Sequence, residues 1–494
     1  MLSRLARHTS NYSAGSLLVT MASVITFPIF TRIFSVAEYG TLGLVTSTVL
    51  LLVGIGKFGI QHATIRFYAE VDAGKRSIDT IDFFSTVLLS MAGIGALATV
   101  LCAIGAVVLP SSWWGQTSAG EVLLVASPLI FVRVVDSGLL NLLRAQQRSA
   151  FYSIFTAVRK YLGLGVILSV LFFIARSLEG FFVSTIVAEG LSVCVLFLVF
   201  MRKGLIDVRR FSWPLLTAML SFGLPLLGSE LSSIVLNIGG RYIINADMGA
   251  EPLGAYSAAY NLCDYVQAVL TASFGQALIP MYTNLWEGRG REITTEFLQQ
   301  SLRYYIAISL AVLAGMMAIG PELLRLLASD KYDAGSALIP YVIAGMLISG
   351  GTPIFSAGIY IKKQTKVVMY SVMAAAIANL ALTIALTPVF GIVGAGVATL
   401  LSYVLYSSST AYFGRHTINI RMPWPDLVKF CALSAIMYWA VTQFRLHNLA
   451  LKLPIQIVAG VVIYGLLLLL SDRPIRDMGR GVVGRLLEMR RHRH

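Results

Sequence analysis

The sequence predicts an all-α polytopic membrane protein of about 14 transmembrane helices, with two six-helix lobes related by a pseudo-two-fold axis along the membrane normal and two additional C-terminal helices. Three observations predict it. Of 494 residues, 57% are hydrophobic and 13% charged, with a mean hydropathy of +0.77. A soluble domain carries about 25% charged residues, so this chain has too few to cover a surface that faces water. Its apolar residues also gather into runs of about 20, the length that crosses a bilayer. Finally, landmarks of the first half return in the second at one offset.

Six runs form a first block: residues 10–34, 41–64, 83–109, 121–143, 152–175 and 179–201. Six more form a second: 213–245, 252–281, 304–327, 335–361, 367–388 and 392–413. Two follow, at 426–444 and 453–470. The expected units are therefore an N-terminal lobe at 1–203, a C-terminal lobe at 204–421, an added helix pair at 422–472 and a basic tail at 473–494. The first run is long and has no cleavage-like end, so it reads as a spanning helix and not as a secretory signal.

Charge placement supports the count. With the N-terminus in the cytoplasm, one side of the membrane receives Arg66, Lys75, Arg76, Arg144, Arg148, Arg202, Lys203, Arg209, Arg210, Lys362, Lys363, Lys366, Arg415, Arg421 and the tail. Most of the 38 Lys and Arg fall on that side, as the positive-inside rule requires. A missed helix would invert every later loop, so the bias predicts a multi-pass protein with both termini in the cytoplasm. The net charge of +14 then reflects topology and contact with anionic membrane lipids, not nucleic-acid binding. The opposite loops are short and carry interface aromatics, Trp113 and Trp114.

The repeat has an offset of roughly 214 residues. Gly40 opens the second run and Gly254 the eighth; Arg66-Phe67-Tyr68 ends the second and Pro280-Met281-Tyr282 the eighth; Gly180 begins the sixth and Gly394 the twelfth. An even number of helices per copy makes the repeats parallel, so two lobes face each other across a central cavity and rocking gives alternating access.

Several segments resemble polysaccharide-biosynthesis flippases of the Wzx type, in family order along almost the whole chain. They are Pro28-Ile29-Phe30-Thr31-Arg32-Ile33-Phe34 with Glu38-Tyr39-Gly40, Phe222-Gly223-Leu224-Pro225, Gly240-Arg241-Tyr242-Ile243-Ile244, Gly254-Ala255-Tyr256-Ser257-Ala258-Ala259-Tyr260, Gly320-Pro321-Glu322-Leu323-Leu324 and Gly394-Ala395-Gly396-Val397-Ala398-Thr399. That family lies in the multidrug/oligosaccharidyl-lipid/polysaccharide exporter superfamily. The resemblance implies two six-helix lobes and movement of an undecaprenyl-diphosphate-linked oligosaccharide from the cytoplasmic to the outer leaflet, for O-antigen, capsule or exopolysaccharide. A polysaccharide polymerase and a chain-length regulator are the candidate protein partners. Relatives often carry an acid just before the arginine of the seventh-helix motif; here Gly240 stands there, so a partner for Arg241 must come from elsewhere.

Such a cargo has a lipid tail, wet sugars and an anionic diphosphate. A single charged side chain at the bilayer centre costs about 2.5–3.5 kcal/mol on insertion scales, so a flippase needs cations lining a wet cavity. Lys57, among Gly54, Gly56 and Gly59, is the first candidate; the alternative is an ion pair with an acid of the same lobe. Arg133 and Asp136 share a helix face at i,i+3. They either pair as helix glue, or Asp136 serves Lys57 and Arg133 is free for phosphate. Arg32 and Arg241, near the outer ends of their helices, either receive the diphosphate or snorkel to headgroups. Arg159, Lys160 and Arg303 begin helices on the cytoplasmic side and read as anchors. Tyr256, Tyr260 and Asn261 suit sugar stacking or plain packing. Intramembrane acids mark ion pathways by default, so Glu189, Glu230 and Asp264 are candidates for proton or sodium coupling, against hydrogen bonding to Asn237, Asn261 or a tyrosine.

The histidines form no cluster, and no phosphate-cradling loop or nucleophile with a nearby base is present, so neither an enzyme nor a cofactor is expected. Two readings compete with the flippase: a multidrug extruder of the same superfamily, which would want acids and aromatics in both lobes, and a non-transporting membrane partner of a polysaccharide synthase.

Overall fold

The structure, a computed structural model, describes residues 2–110, 118–444, 448–474 and 476. Trp113, Trp114 and the tail beyond Arg476 lie outside the described residues.

The first lobe comprises α1 (Leu2–Ile33), α2 (Val36–Gly56), α3 (Ile60–Asp72), α4 (Thr80–Val108), α5 (Ser118–Ala126), α6 (Pro128–Ala145), α7 (Ser149–Phe173) and α8 (Leu178–Arg202). The second comprises α9 (Trp213–Met248), α10 (Ala250–Ala328), a 3-10 segment (Asp330–Leu338), α11 (Ile339–Gly350), α12 (Thr352–Phe355), α13 (Ala357–Ile361), α14 (Thr365–Phe390) and α15 (Ile392–Gly414). The added pair is α16 (Trp424–Thr442) and α17 (Leu449–Ser471). Among the described residues, eleven helical segments are long and apolar enough to cross a membrane. The other three expected spans are helical too: they lie in α1, in the first limb of α10 and in α16.

Several expected rods are broken. The 41–64 run stops after Gly56, because Phe58 (φ 49°) and Gly59 (φ 79°) take left-handed backbone before α3 begins. The 121–143 run is split between α5 and α6 at Ser127, where Pro128 withholds a backbone donor. The 335–361 run is a 3-10 segment followed by three short helices. The eighth and ninth runs continue as one element that turns at Gly290 (φ 79°).

In lipid no hydrophobic force draws helices together, so close backbone approach through small residues does much of the work. The repeat landmarks sit at such approaches. A Cβ on Gly40 would strike the Ala250 carbonyl and the Gly254 nitrogen, and one on Gly254 would strike the Val36 carbonyl. The two repeat-equivalent glycines therefore touch each other where the lobes meet, as equivalent positions do at a two-fold axis. Glu38, in the same motif, closes a capping box with Ser35 at the start of α2 (2.7 and 3.2 Å). Gly180 packs on the carbonyl of Ala175 in the loop before α8, and Gly394 on that of Leu386 in α14.

The added pair docks on α10 through charge. Arg303 binds Asp426 (2.9 and 3.2 Å) and the buried Asp472, which Lys429 also reaches. At the other end Lys452 meets Glu322 at 2.6 Å. Arg303 is thus a tie between elements, where the sequence suggested an anchor at the membrane surface.

Candidate functional site

A cavity of about 1020 Å³ opens within the first lobe, and all its described lining residues come from α1, α2 with its C-cap Lys57, α3, α6, α7 and α8. The expected chamber shared by both lobes is therefore lined, among the described residues, by one lobe. Helical spacing builds its walls. On α6, Arg133, Asp136, Ser137, Leu140 and Arg144 fall on one face at i,i+3 and i,i+4; on α7, Tyr152, Thr156, Arg159, Lys160 and Gly163 do so; on α8, Thr185, Glu189 and Ser192. The charged lining holds five cations (Lys57, Arg133, Arg144, Arg159, Lys160) and two carboxylates (Asp136, Glu189), a formal excess of three positive charges.

The cations differ in how they are held. Arg133 makes a two-pronged contact with Glu189, Nε and Nη2 each at 2.8 Å, the planar fork that suits arginine. Asp136 is bound instead by Arg159. The i,i+3 pair expected on α6 does not form, because each member has a better-placed partner on a neighbouring helix. Arg144 lies over the Tyr152 ring at 4.6 Å and donates to its hydroxyl. Lys160 is exposed to the cavity and has no carboxylate within 4.0 Å among the described residues.

The seam between the lobes closes in two places. At its upper end, where α1 passes to α2, Arg32 donates to the last carbonyls of α10, those of Leu327 (2.9 Å) and Leu326 (2.7 Å). Lys331 reciprocates onto the Phe34 carbonyl (2.6 Å). Arg241 of α9 reaches Ser47 Oγ (2.9 Å) and Asn261 (3.3 Å), and Asn261 donates to the Tyr39 hydroxyl (3.0 Å). Thr48 meets the Tyr242 hydroxyl at 2.9 Å. At the lower end, Glu230 of α9 receives Lys57 (3.4 Å), His62 (2.9 Å) and Gln61 from the break between α2 and α3. Gly59 and Gly223 bring their backbones together beside it, and Arg66 sits 4.6 Å over Phe222.

The sequence-selected residues therefore separate into groups. Lys57, Arg133 and Glu189 line the cavity; Glu230 does not, and it binds Lys57 from the other lobe, where a same-lobe pair or an Asn or Tyr partner was expected. Arg32, Arg241 and Asn261 belong to the upper seam. Tyr256 and Tyr260 are buried, 3% and 5% exposed, with rings 5.6 Å apart and the Tyr260 hydroxyl on Asn237, so they act here as packing. Asp264 is exposed and makes no hydrogen bond or ion pair among the described residues.

Sequence reasoning missed Arg159 and Lys160 as cavity residues, and Gln61 and His62 as partners of Glu230. The signal was present. A span beginning at 152 already places Arg159 two turns inside its helix, and Lys57 and Gln61 are one turn apart.

Comparisons with known proteins agree with this architecture. A family model described as polysaccharide biosynthesis protein matches residues 29–337. The chain is 23% identical over 504 aligned positions to the succinoglycan biosynthesis transport protein ExoT of Rhizobium meliloti (strain 1021), covering 95% of this chain and 92% of ExoT. A solved structure of the lipid II flippase MurJ, in an inward closed conformation, matches with a TM-score of 0.75 at 14% identity over 94% of this chain and 99% of MurJ. The eukaryotic MATE transporter AtDTX14 matches with a TM-score of 0.55 at 14% identity, over 88% of this chain and 98% of its own. At these identities the structural likenesses establish the fold.

Proposed function

Because the chain belongs to the polysaccharide biosynthesis protein family, we propose that it is a flippase that carries undecaprenyl-diphosphate-linked oligosaccharide from the cytoplasmic to the outer leaflet of the bacterial inner membrane. The upper end of the seam then faces outward, and both termini lie in the cytoplasm with the basic loops.

The observation that carries this reading is the formal excess of three positive charges in a cavity walled by the middle of α6, α7 and α8. Fixed cations there replace the water that a diphosphate sheds on entering the membrane. The hydroxyl and amide groups of Ser137, Asn141, Thr156 and Thr185 suit sugar hydroxyls, and the lipid tail remains in the bilayer. ExoT, named for succinoglycan transport, and MurJ, named for lipid II, support a lipid-linked saccharide. An extruder of cationic drugs needs the opposite sign of cavity.

Movement follows from the seam. Cargo enters when Glu230 leaves Lys57, Gln61 and His62, and it exits when the Gly40–Gly254 contact parts. Glu230 and Asp264 are the carboxylates placed to couple that cycle to a proton or sodium gradient. The test is transport of a fluorescent polyprenyl-diphosphate sugar in proteoliposomes. Protein-dependent movement of this probe, with none of a cationic dye, supports the flippase; the reverse pattern refutes it.

A further inference from the structure

The cations of the cavity are not equivalent, and their partners rank them. Arg133 has spent its fork on Glu189, with both contacts at 2.8 Å. Arg159 is held by Asp136. Lys57 is shared with Glu230 across the seam at 3.4 Å. Arg144 is engaged with the ring and hydroxyl of Tyr152. For each of these to take up a diphosphate, an existing contact must break. Only Lys160, among the described cations of the lining, is exposed there with no carboxylate within 4.0 Å and no hydrogen bond to give up.

Its position on α7 confirms where it points. The lipid-facing stripe of that helix is Phe151, Ile154, Val158 and Leu162, exposed by 44%, 64%, 50% and 66%. Lys160 lies on the opposite face with Thr156 and Gly163, which line the cavity. Space is kept beside it: a Cβ added at Gly163 would meet only the Ala188 side chain, at 3.6 Å. The two flanking ion pairs fix the neighbouring helices: Arg133–Glu189 ties α6 to α8, and Asp136–Arg159 ties α6 to α7. They form a neutral frame beside a lysine that has no carboxylate within 4.0 Å among the described residues.

We propose that Lys160 is the seat of the diphosphate at mid-cavity, and that the Arg133–Glu189 and Asp136–Arg159 pairs are its scaffold rather than ligands. This inference rests on the flippase reading and refines it. A lysine suits the task. Its ammonium is a point charge on a flexible stem, so it can follow a moving anion and release it, whereas a planar guanidinium fork holds phosphate in two bonds at once.

The experiment is binding and transport of a short polyprenyl diphosphate carrying a fluorescent sugar, beside its monophosphate twin, by the full-length protein in micelles and in proteoliposomes. Wild type should prefer the diphosphate. K160A should lose on the order of tenfold in diphosphate affinity, as one charge-assisted contact predicts, and most of the preference over monophosphate. It should stay within a few degrees of the wild-type melting temperature, since Lys160 makes no hydrogen bond or ion pair within 4.0 Å among the described residues. K160R should recover affinity but turn over more slowly. K160M, which keeps the stem, should behave as K160A and guards against a packing defect. By contrast R133A should lower the melting temperature, because it strands Glu189. Wild-type affinity and preference in both K160A and K160M would overturn the seat while leaving the flippase standing. A wild-type protein that neither binds nor moves the probe would overturn the flippase reading and this seat with it.

Discussion

At the upper end of the seam between the lobes, backbone meets backbone at Gly40 and Gly254, and the cations present donate to neutral oxygens: Arg32 to Leu326 and Leu327, Lys331 to Phe34, Arg241 to Ser47. At the lower end, one carboxylate, Glu230, gathers Lys57, Gln61 and His62. Gly59 and Gly223 also touch there, yet the charged contact has no upper counterpart within 4.0 Å among the described residues. The contrast teaches how each end can open. Contact through glycine is set by shape and does not respond to ions. A carboxylate with three donors responds to protonation, to a competing cation and to an anion that draws Lys57 away. On the flippase proposal, the lower end is the electrically addressable gate and the end that admits an anionic cargo.

The largest expected effect breaks the upper end. Gly254→Leu places a side chain where the Val36 carbonyl lies, so the lobes should no longer close there. Cysteine pairs introduced at positions 39 and 261 should lose their crosslink, and transport should fall to background. Crosslinking at the wild-type yield would remove Gly254 from the seam.

Next comes Lys57→Ala, which takes away both a cavity cation and a gate contact. Transport should be abolished while membrane insertion is unchanged, as seen by comparing polymer export with protein abundance in membranes. Normal export would leave Lys57 outside the mechanism.

Glu230→Gln should weaken the lower end alone. Hydrogen bonds to a charged group contribute about 1.5–3 kcal/mol each, but a glutamine retains part of that, so a shift of about 1–2 kcal/mol toward opening is expected. Labelling of a cysteine at position 61 by a water-soluble maleimide should rise, with no change at position 39. Equal changes at both positions would show that the two ends are not separately controlled.

The smallest effect is expected from Arg32→Ala. It removes three bonds to neutral carbonyls at a solvent-facing helix end, two of them across the seam, about 1 kcal/mol net. Transport should drop less than for Glu230→Gln, and a larger loss would give Arg32 a role in cargo release.

The fold was legible in the sequence for a simple reason: a bilayer imposes a length on every span, and loop charge imposes a side. The repeat was legible because Gly40 and Gly254 answer the same steric demand at one offset. What composition could not show was where spans break. Left-handed backbone at Phe58 and Gly59 and the interruption at Ser127 and Pro128 look apolar in hydropathy and become visible only in three dimensions. The candidate site was half legible. Lys57, Arg133 and Glu189 stand out as charges in apolar runs, so their presence in the cavity follows from cost alone. Their partners do not follow, since Arg133–Glu189 and Arg159–Asp136 depend on how α6, α7 and α8 pack. Glu230 looked like an isolated acid of the second lobe, and its contacts with Lys57, Gln61 and His62 emerged only when α9 was seen against the break between α2 and α3.

The most direct measurement is the initial rate of movement of a fluorescent polyprenyl-diphosphate sugar across proteoliposomes holding the purified chain, set against protein-free vesicles and against the same lipid bearing a neutral headgroup. The cationic cavity predicts protein-dependent movement of the diphosphate and background movement of the neutral analogue. Equal rates for the two lipids, or equal rates with and without protein, would contradict it.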